Sequence, residues 1–293
     1  MKWRDRKQST NVDDRRNSSG GGGRRGMPSI GTIMFLLPLI KPLLKSKLGL
    51  AVVGISAVAY FSGFNPLSSI MGGGSKPVNE AADNENAAFL KTVHADTEQV
   101  WGKIFAQAGK RYPAPDLVLY RGSTHSGCGP ASSGMGPFYC PEDRKVYVDL
   151  SFFKDLENKH GAGGDFAQAY VLAHEIGHHI QNMEGTLDKV QRAKRRVAGG
   201  KEENQLQVMV ELQADCYAGI WAHHAQKQFN ILEAGDLEEA ITAAASIGDD
   251  RLQKQAQGFA IPHTFTHGTS KQRVEWFAKG IKSGRVRDCN TFK

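Results

Sequence analysis

The residues His174-Glu175-Ile176-Gly177-His178 place two imidazoles and a carboxylate in an otherwise apolar stretch, with Val171, Leu172, Ala173, Ile176 and Ile180 around them. That density of apolar positions predicts a buried helix. It opens behind Gly161, Gly163 and Gly164, with Asp165 as its cap, and runs to about Met183. Helical positions four apart share a face, so His174 and His178 point the same way. Buried imidazoles and carboxylates are costly unless they are paired or bind metal. Two imidazoles on one face form a metal-binding pair that suits zinc. Glu175 projects beside such an ion and can take a proton from a water held there.

The third ligand decides the class. A glycine three residues after the second histidine, then a histidine three further on, marks the metzincin pattern, but Gln181 and Glu184 occupy those places. Glu211-Leu212-Gln213-Ala214-Asp215 follows 33 residues after His178, in a second helix read over Glu203 to Gln228. Glu211 and Asp215 again share a face. Glu211 completes a His174–His178–Glu211 set for one Zn2+ per chain. Asp215 accepts the other ring N–H of a ligand histidine and fixes its tautomer. Alone, Glu-x-x-x-Asp describes many solvated acidic helix faces; joined to the upstream motif it is specific. Tyr217 is a further candidate donor to the oxyanion. His179 is read as a polar neighbour of the site, His223 and His224 as too distant for the same ion, and His125 and His263 as ordinary surface residues.

The rest of the chain suggests where such a site sits. Residues 48–64 contain no charge, about the length of a short membrane span. Lys41, Lys45 and Lys47 flank one end, and Tyr60, Phe61 and Phe64 suit an interfacial belt at the other. Residues 33–40 are apolar but too short to span. Residues 1–47 hold 11 Lys/Arg against three Asp/Glu, whereas the remainder holds 26 against 27. Basic residues ahead of a span stay in the cytoplasm. The expected organisation is therefore a basic cytoplasmic tail over 1–47, a transmembrane anchor over 48–64, a flexible linker over 65–80 and a domain over 81–293. That is a single-pass protein of the inner (cytoplasmic) membrane, its domain periplasmic or extracellular. A nucleic-acid-binding fold carries its basic patch within the domain, so no nucleic acid is expected as a partner. The sequence leaves the oligomeric state open.

Four cysteines, Cys128, Cys140, Cys216 and Cys289, allow three pairings. Outside the cytoplasm disulfides persist, and the expectation there is Cys128–Cys140 with Cys216–Cys289. Helices are further expected over Asn84 to Lys110 and Asp236 to about Gln255, the latter opened by an Asp236-x-x-Glu239 capping box. Leu117 to Tyr120 and Val146 to Leu150 read as strands around a loop over 122–137, with 145–150 as the edge strand that pairs with an extended substrate. The fold class is α+β, mostly helical with a small sheet.

The segments HEIGHH and ELQADCYAG resemble the gluzincin arrangement. Together with WRDRKQSTNVDDRR, GPFYCPEDRKVYVDLSFF and FTHGTSKQRVEWFAKG, they resemble the bacterial family of putative neutral zinc metallopeptidases, sometimes described as YpfJ-like. The resemblance implies a zincin-like fold and a zinc-dependent peptidase acting on peptide or protein substrates. Related membrane gluzincins carry a His-Pro…Arg segment near the metal cleft. By that analogy His267 stabilises the oxyanion and Arg273 supports the cleft, with Gly268 standing where those families have Pro; the other reading is a capped helix beginning near Thr269–Ser270. An alternative function is a catalytically weak or inactive zinc-binding envelope protein that serves as a binding or assembly factor.

Overall fold

The structure, a computed structural model, describes residues 1–17, 80–197 and 199–292. The expected anchor over 48–64, the apolar stretch 33–40 and the linker up to residue 79 lie outside these residues. Among the described residues no helix is long and apolar enough to cross a membrane.

The expected α+β class is found. Two short runs, β2 (Asp116–Tyr120) and β6 (Lys145–Asp149), pair in parallel at the centre of a four-stranded sheet. Both are apolar on both faces, which is why they occupy the middle. Leu117, Leu119, Val146 and Val148 join the main core, while Val118, Tyr120 and Tyr147 pack beneath with Cys140. The sheet order is β1-β2-β6-β5, where β1 is Val12–Asp14 and β5 is Phe138–Cys140. β5 runs antiparallel to β6. The expected edge role of 145–150 is thus corrected: β6 is paired on both sides, and β5 carries the edge. A hairpin of β3 (Ser123–Ser126) and β4 (Gly129–Ser132) fills much of the expected loop. Its glycines, prolines and serines hid the strands, which pair only with each other.

Eight α-helices surround the sheet among the described residues: α1 (Glu80–Gln107), α2 (Ser151–His160), α3 (Asp165–Met183), α4 (Thr186–Lys194), α5 (Lys201–Phe229), α6 (Asp236–Ser246), α7 (Asp249–Gln257) and α8 (Ser270–Ser283). Their mutual distances are set by missing side chains. A Cβ on Gly177 of α3 would lie 3.0 Å from the Cα and O of Ala214, so the two motif helices meet backbone to backbone. On α8 a Cβ on Gly280 would lie 2.0 Å from the carbonyl oxygen of Cys216, so α8 approaches α5 more closely still. The single helix expected over 236–255 is two, broken at Ile247-Gly248. A Cβ on Gly248 would lie 2.4 Å from Ser270 N, so the chain must turn there to let α8 begin.

The expected helix caps are also reassigned. Gly164, not Asp165, is the N-cap of α3, and Phe166 N–H donates to Glu239 Oε2 at 3.0 Å. Glu239 therefore caps α3 rather than its own helix. Asp165 and Asp236 instead face the Met1 ammonium, at 3.0 and 3.1 Å.

The larger correction concerns the N-terminal tail. Residues 1–17 belong to the same compact unit as residues 80–292. β1 pairs in parallel with β2, Val12 opposite Leu117 and Asp14 opposite Leu119. Arg6 Nη2 lies 2.6 Å from Asp96, and Arg16 Nη1 2.8 Å from Asp83, both carboxylates on α1 and both buried. Arg6 and Arg16, counted in the basic excess of the tail, thus face acids of the domain. The first 17 residues of the tail expected over 1–47 are thus part of the folded domain.

Candidate metal centre

α3 and α5 meet at their motifs. His174 Nε2 lies 3.2 Å from Glu211 Oε2, and His178 Nε2 lies 3.6 Å from the same oxygen. One ligand atom each from His174, His178 and Glu211 lie within 4.8 Å of one another. The far atom of every ligand is held. His174 Nδ1–H donates to Asp215 Oδ1 at 2.8 Å. His178 Nδ1 donates to Gln181 Oε1 at 2.9 Å. Glu211 Oε1 accepts from Gln207 Nε2 at 2.7 Å, and Gln207 Oε1 accepts from Lys194 Nζ at 2.6 Å. Two imidazoles and a carboxylate with their near atoms aimed at one point, and their far atoms fixed, fit a zinc ion.

Asp215 has no exposure and sits among four donors. Beyond His174, it accepts from Tyr170 OH at 2.5 Å and from Arg273 Nε and Nη2, each at 2.9 Å. Arg273 is buried on this carboxylate from α8. It borders the cleft but is tied to Asp215, and acts on the site through Asp215 and His174.

Electrostatics follow from this packing. Burial disfavours charge on His174, but the Asp215 and Glu211 carboxylates outweigh it and push its pKa up to about 9. Burial likewise opposes charge on His178, and Glu211 overcomes it. Burial would raise Glu211, yet His178 and His174 hold it well below the usual carboxylate range. Glu175 differs. Burial raises its pKa, with the two histidines and a backbone N–H from Tyr139 opposing the shift. A carboxylate made more basic by burial, beside a fixed ligand set, suits proton abstraction.

The site opens into a cleft of about 550 Å3. Met135, Phe152, Val171, Leu187, Val190 and Leu252 give it apolar walls, and Lys194 and His267 give it polar ones. His267 is placed by α7: its backbone N–H donates to Asp249 Oδ2 at 2.6 Å, and its Nδ1 lies 3.2 Å from Asp249 Oδ1. Its imidazole is half exposed to the cleft. Thr269 and Gln272 form a capping box at the start of α8 directly afterwards. The cap and the cleft position, weighed as alternatives from sequence, coexist in one segment.

Other expectations change. Tyr217 does not line the cleft: its hydroxyl donates to Glu184 Oε2 at 2.6 Å and its ring packs edge-on against Trp101. His223 and His224 donate to the carbonyls of Ile281 and Gly284 at the end of α8. His179 is buried between Pro113 O and Tyr139 OH, and burial lowers its pKa to about 4. Cys128 is bonded to Cys140 and Cys216 to Cys289. A second acidic group, Asp165, Asp236 and Glu239, is already filled by the Met1 ammonium and Phe166 N–H. The residues missed from sequence are Gln181, Gln207, Tyr170 and Asp249. Gln207 stands four residues before Glu211 and Tyr170 four before His174, so helical spacing held the signal for both.

Comparison with known proteins adds to this geometry. The chain is 48% identical over 300 residues to the uncharacterized protein YpfJ of Escherichia coli K12, covering all of this chain and 99% of that one. It is 44% identical over 191 residues to the uncharacterized protein Rv2575 of Mycobacterium tuberculosis H37Rv, covering 62% of this chain and 63% of that one. No solved structure matches it. The model of one family, described as "Putative neutral zinc metallopeptidase", matches residues 1–292, and the chain belongs to that family.

Proposed function

We propose that this protein is a zinc-dependent peptidase that hydrolyses peptide bonds at the His174–His178–Glu211 centre. The observation that carries the reading is the convergence of those three ligand atoms, with Glu175 buried beside them. Zinc held there supplies an acidified water and a Lewis acid for the scissile carbonyl. Glu175 takes the proton of the attacking water, and its raised basicity favours that step. The same carboxyl then delivers the proton to the leaving amine. His267, exposed to the cleft, is the candidate hydrogen-bond donor to the oxyanion. Arg273 and Asp215 keep His174 in the Nδ1–H tautomer, so that its Nε2 lone pair faces the ligand point.

The edge strand β5 supplies a track for substrate. Its Tyr139 N–H reaches the Glu175 carboxylate, so the free edge runs over the base. An extended peptide laid on that edge brings a backbone carbonyl into the cleft. The apolar walls favour a substrate with large apolar side chains beside the scissile bond. Both disulfides support a domain on the oxidising side of the cytoplasmic membrane. Residues 48–64 are then the membrane contact.

The test compares the zinc-loaded full chain with its Glu175→Gln variant on a mixed peptide library read by mass spectrometry. Cleavage by the wild type, with none by a variant that keeps its zinc, is the expected result. Equal turnover by the variant overturns the role of Glu175. A zinc-loaded wild type that cleaves nothing favours a binding protein instead.

A further inference from the structure

A relay of side chains joins His178 to the far C-terminal end of the chain, and its direction is forced. His178 Nδ1 meets Gln181 Oε1 at 2.9 Å. Gln181 Nε2 lies 2.7 Å from Val210 O and 3.1 Å from Gln213 Oε1. Gln213 Nε2 lies 3.0 Å from Cys289 O. Cys289 is bonded to Cys216, on the same turn of α5 as Gln213. Gln181 and Cys289 have no exposure and Gln213 has 6%, so water does not substitute for these partners.

Two members of the relay are backbone carbonyls, which only accept. The amide NH2 of Gln213 must therefore face Cys289 O, which turns its oxygen toward Gln181. The NH2 of Gln181 must face Val210 O and that oxygen, which turns its own oxygen toward His178. An oxygen there requires a proton on Nδ1, leaving the Nε2 lone pair directed at Glu211 and the metal position. The two carbonyls thus dictate the tautomer of an imidazole some three groups away. His174 has a carboxylate in the equivalent place, itself held by Arg273. His178 has a neutral amide, so the placement of that amide matters more.

We infer that Gln181 and Gln213 are positioning residues for His178, and that the Cys216–Cys289 disulfide anchors them by holding the Cys289 carbonyl. The inference rests on the zinc reading of the site. It explains a feature the ligand pattern leaves unused, namely the glutamine within Glu211-Leu212-Gln213-Ala214-Asp215. It also explains why Gln181 stands where a metzincin has glycine: the residue there has to carry an amide.

The experiment measures zinc affinity of the full chain by competition with a chromophoric chelator at fixed pH, alongside the unfolding midpoint of the zinc-free form. Partners behind a metal ligand commonly contribute about 10–100-fold in affinity. Gln181→Leu is expected to weaken binding by that factor. Gln213→Leu and Cys289→Ser are expected to weaken it several-fold, and Gln181→Leu/Gln213→Leu should bind no more weakly than Gln181→Leu alone. Thr291→Val removes another tie of the same segment, Thr291 Oγ1 to Met209 O at 2.6 Å, without touching the relay. That variant should lower the midpoint yet leave zinc affinity unchanged. If the wild type binds zinc and both Gln181→Leu and Gln213→Leu bind it as tightly, the inference is overturned and the function stands. A wild type that takes up no zinc overturns both. Should Cys289→Ser fail to fold, Gln213→Leu tests the same link with the disulfide intact.

Discussion

Replacing Arg273 with methionine removes a cation from the most enclosed carboxylate of the site while keeping an unbranched stem of similar girth. Arg273 is 2% exposed and Asp215 not at all, and two hydrogen bonds of 2.9 Å join them. Removing one partner of such a pair leaves an uncompensated buried charge, which costs about 3–5 kcal/mol. Here Tyr170 OH at 2.5 Å and His174 Nδ1 at 2.8 Å still donate to Asp215. Those two donors place the expected loss near the lower bound, about 3 kcal/mol. Urea unfolding of chelator-stripped protein measures it. With a slope of roughly 3 kcal/mol/M, the midpoint should fall by about 1 M at unchanged slope. The double variant Asp215→Asn/Arg273→Met removes both charges, and its loss should be well below the sum of the two single losses. A loss below about 1 kcal/mol for Arg273→Met would refute the reasoning, because the pair would then not be holding the carboxylate.

Two more consequences concern the domain itself. A fragment beginning at residue 81, the boundary suggested by sequence, lacks β1 and the Arg6 and Arg16 partners of Asp96 and Asp83. It should unfold at a clearly lower temperature than the full chain or fail to stay in solution, and an equal midpoint would contradict the integral role of residues 1–17. His94 is buried in α1, and burial holds its pKa below the ordinary 6.5 despite the opposing pull of Glu98. The folded chain therefore keeps it neutral while the unfolded chain takes up a proton below about pH 6.5. Its contribution is fully present above that pH and is lost as pH falls, so unfolding free energy should drop between pH 6.5 and 5, less steeply in His94→Gln. Identical slopes would contradict the assignment.

The parts of this molecule that were legible in the sequence are those written in one helix or one strand at a time. Apolar residues around His174 and His178 announced α3, and the four-residue spacing of Glu211 and Asp215 announced the facing side of α5. β2 and β6 were legible because strands covered on both faces read as unbroken apolar runs. What escaped depended on partners distant in sequence. Arg6 and Arg16 look like a loose basic tail until Asp96 and Asp83 stand opposite them. β1 is three residues with no alternation, and only its register against β2 makes it a strand. Tyr217 sits two residues after Asp215, yet the helix turns it toward Glu184 and away from the cleft. Gln181 and Gln213 carry no charge to attract notice, and their significance comes from the carbonyls of Val210 and Cys289. The break at Gly248 reflects the approach of Ser270, 22 residues later, which no local propensity encodes.

The most direct test of the account is the zinc content of the full chain, purified without added metal and then exchanged against a zinc buffer, compared with Glu211→Ala. Glu211 supplies the one carboxylate oxygen shared by both histidines, at 3.2 and 3.6 Å. The account predicts one zinc per wild-type chain and little or none retained by the variant. A wild type without stoichiometric zinc, or a variant that retains as much as the wild type, would contradict it.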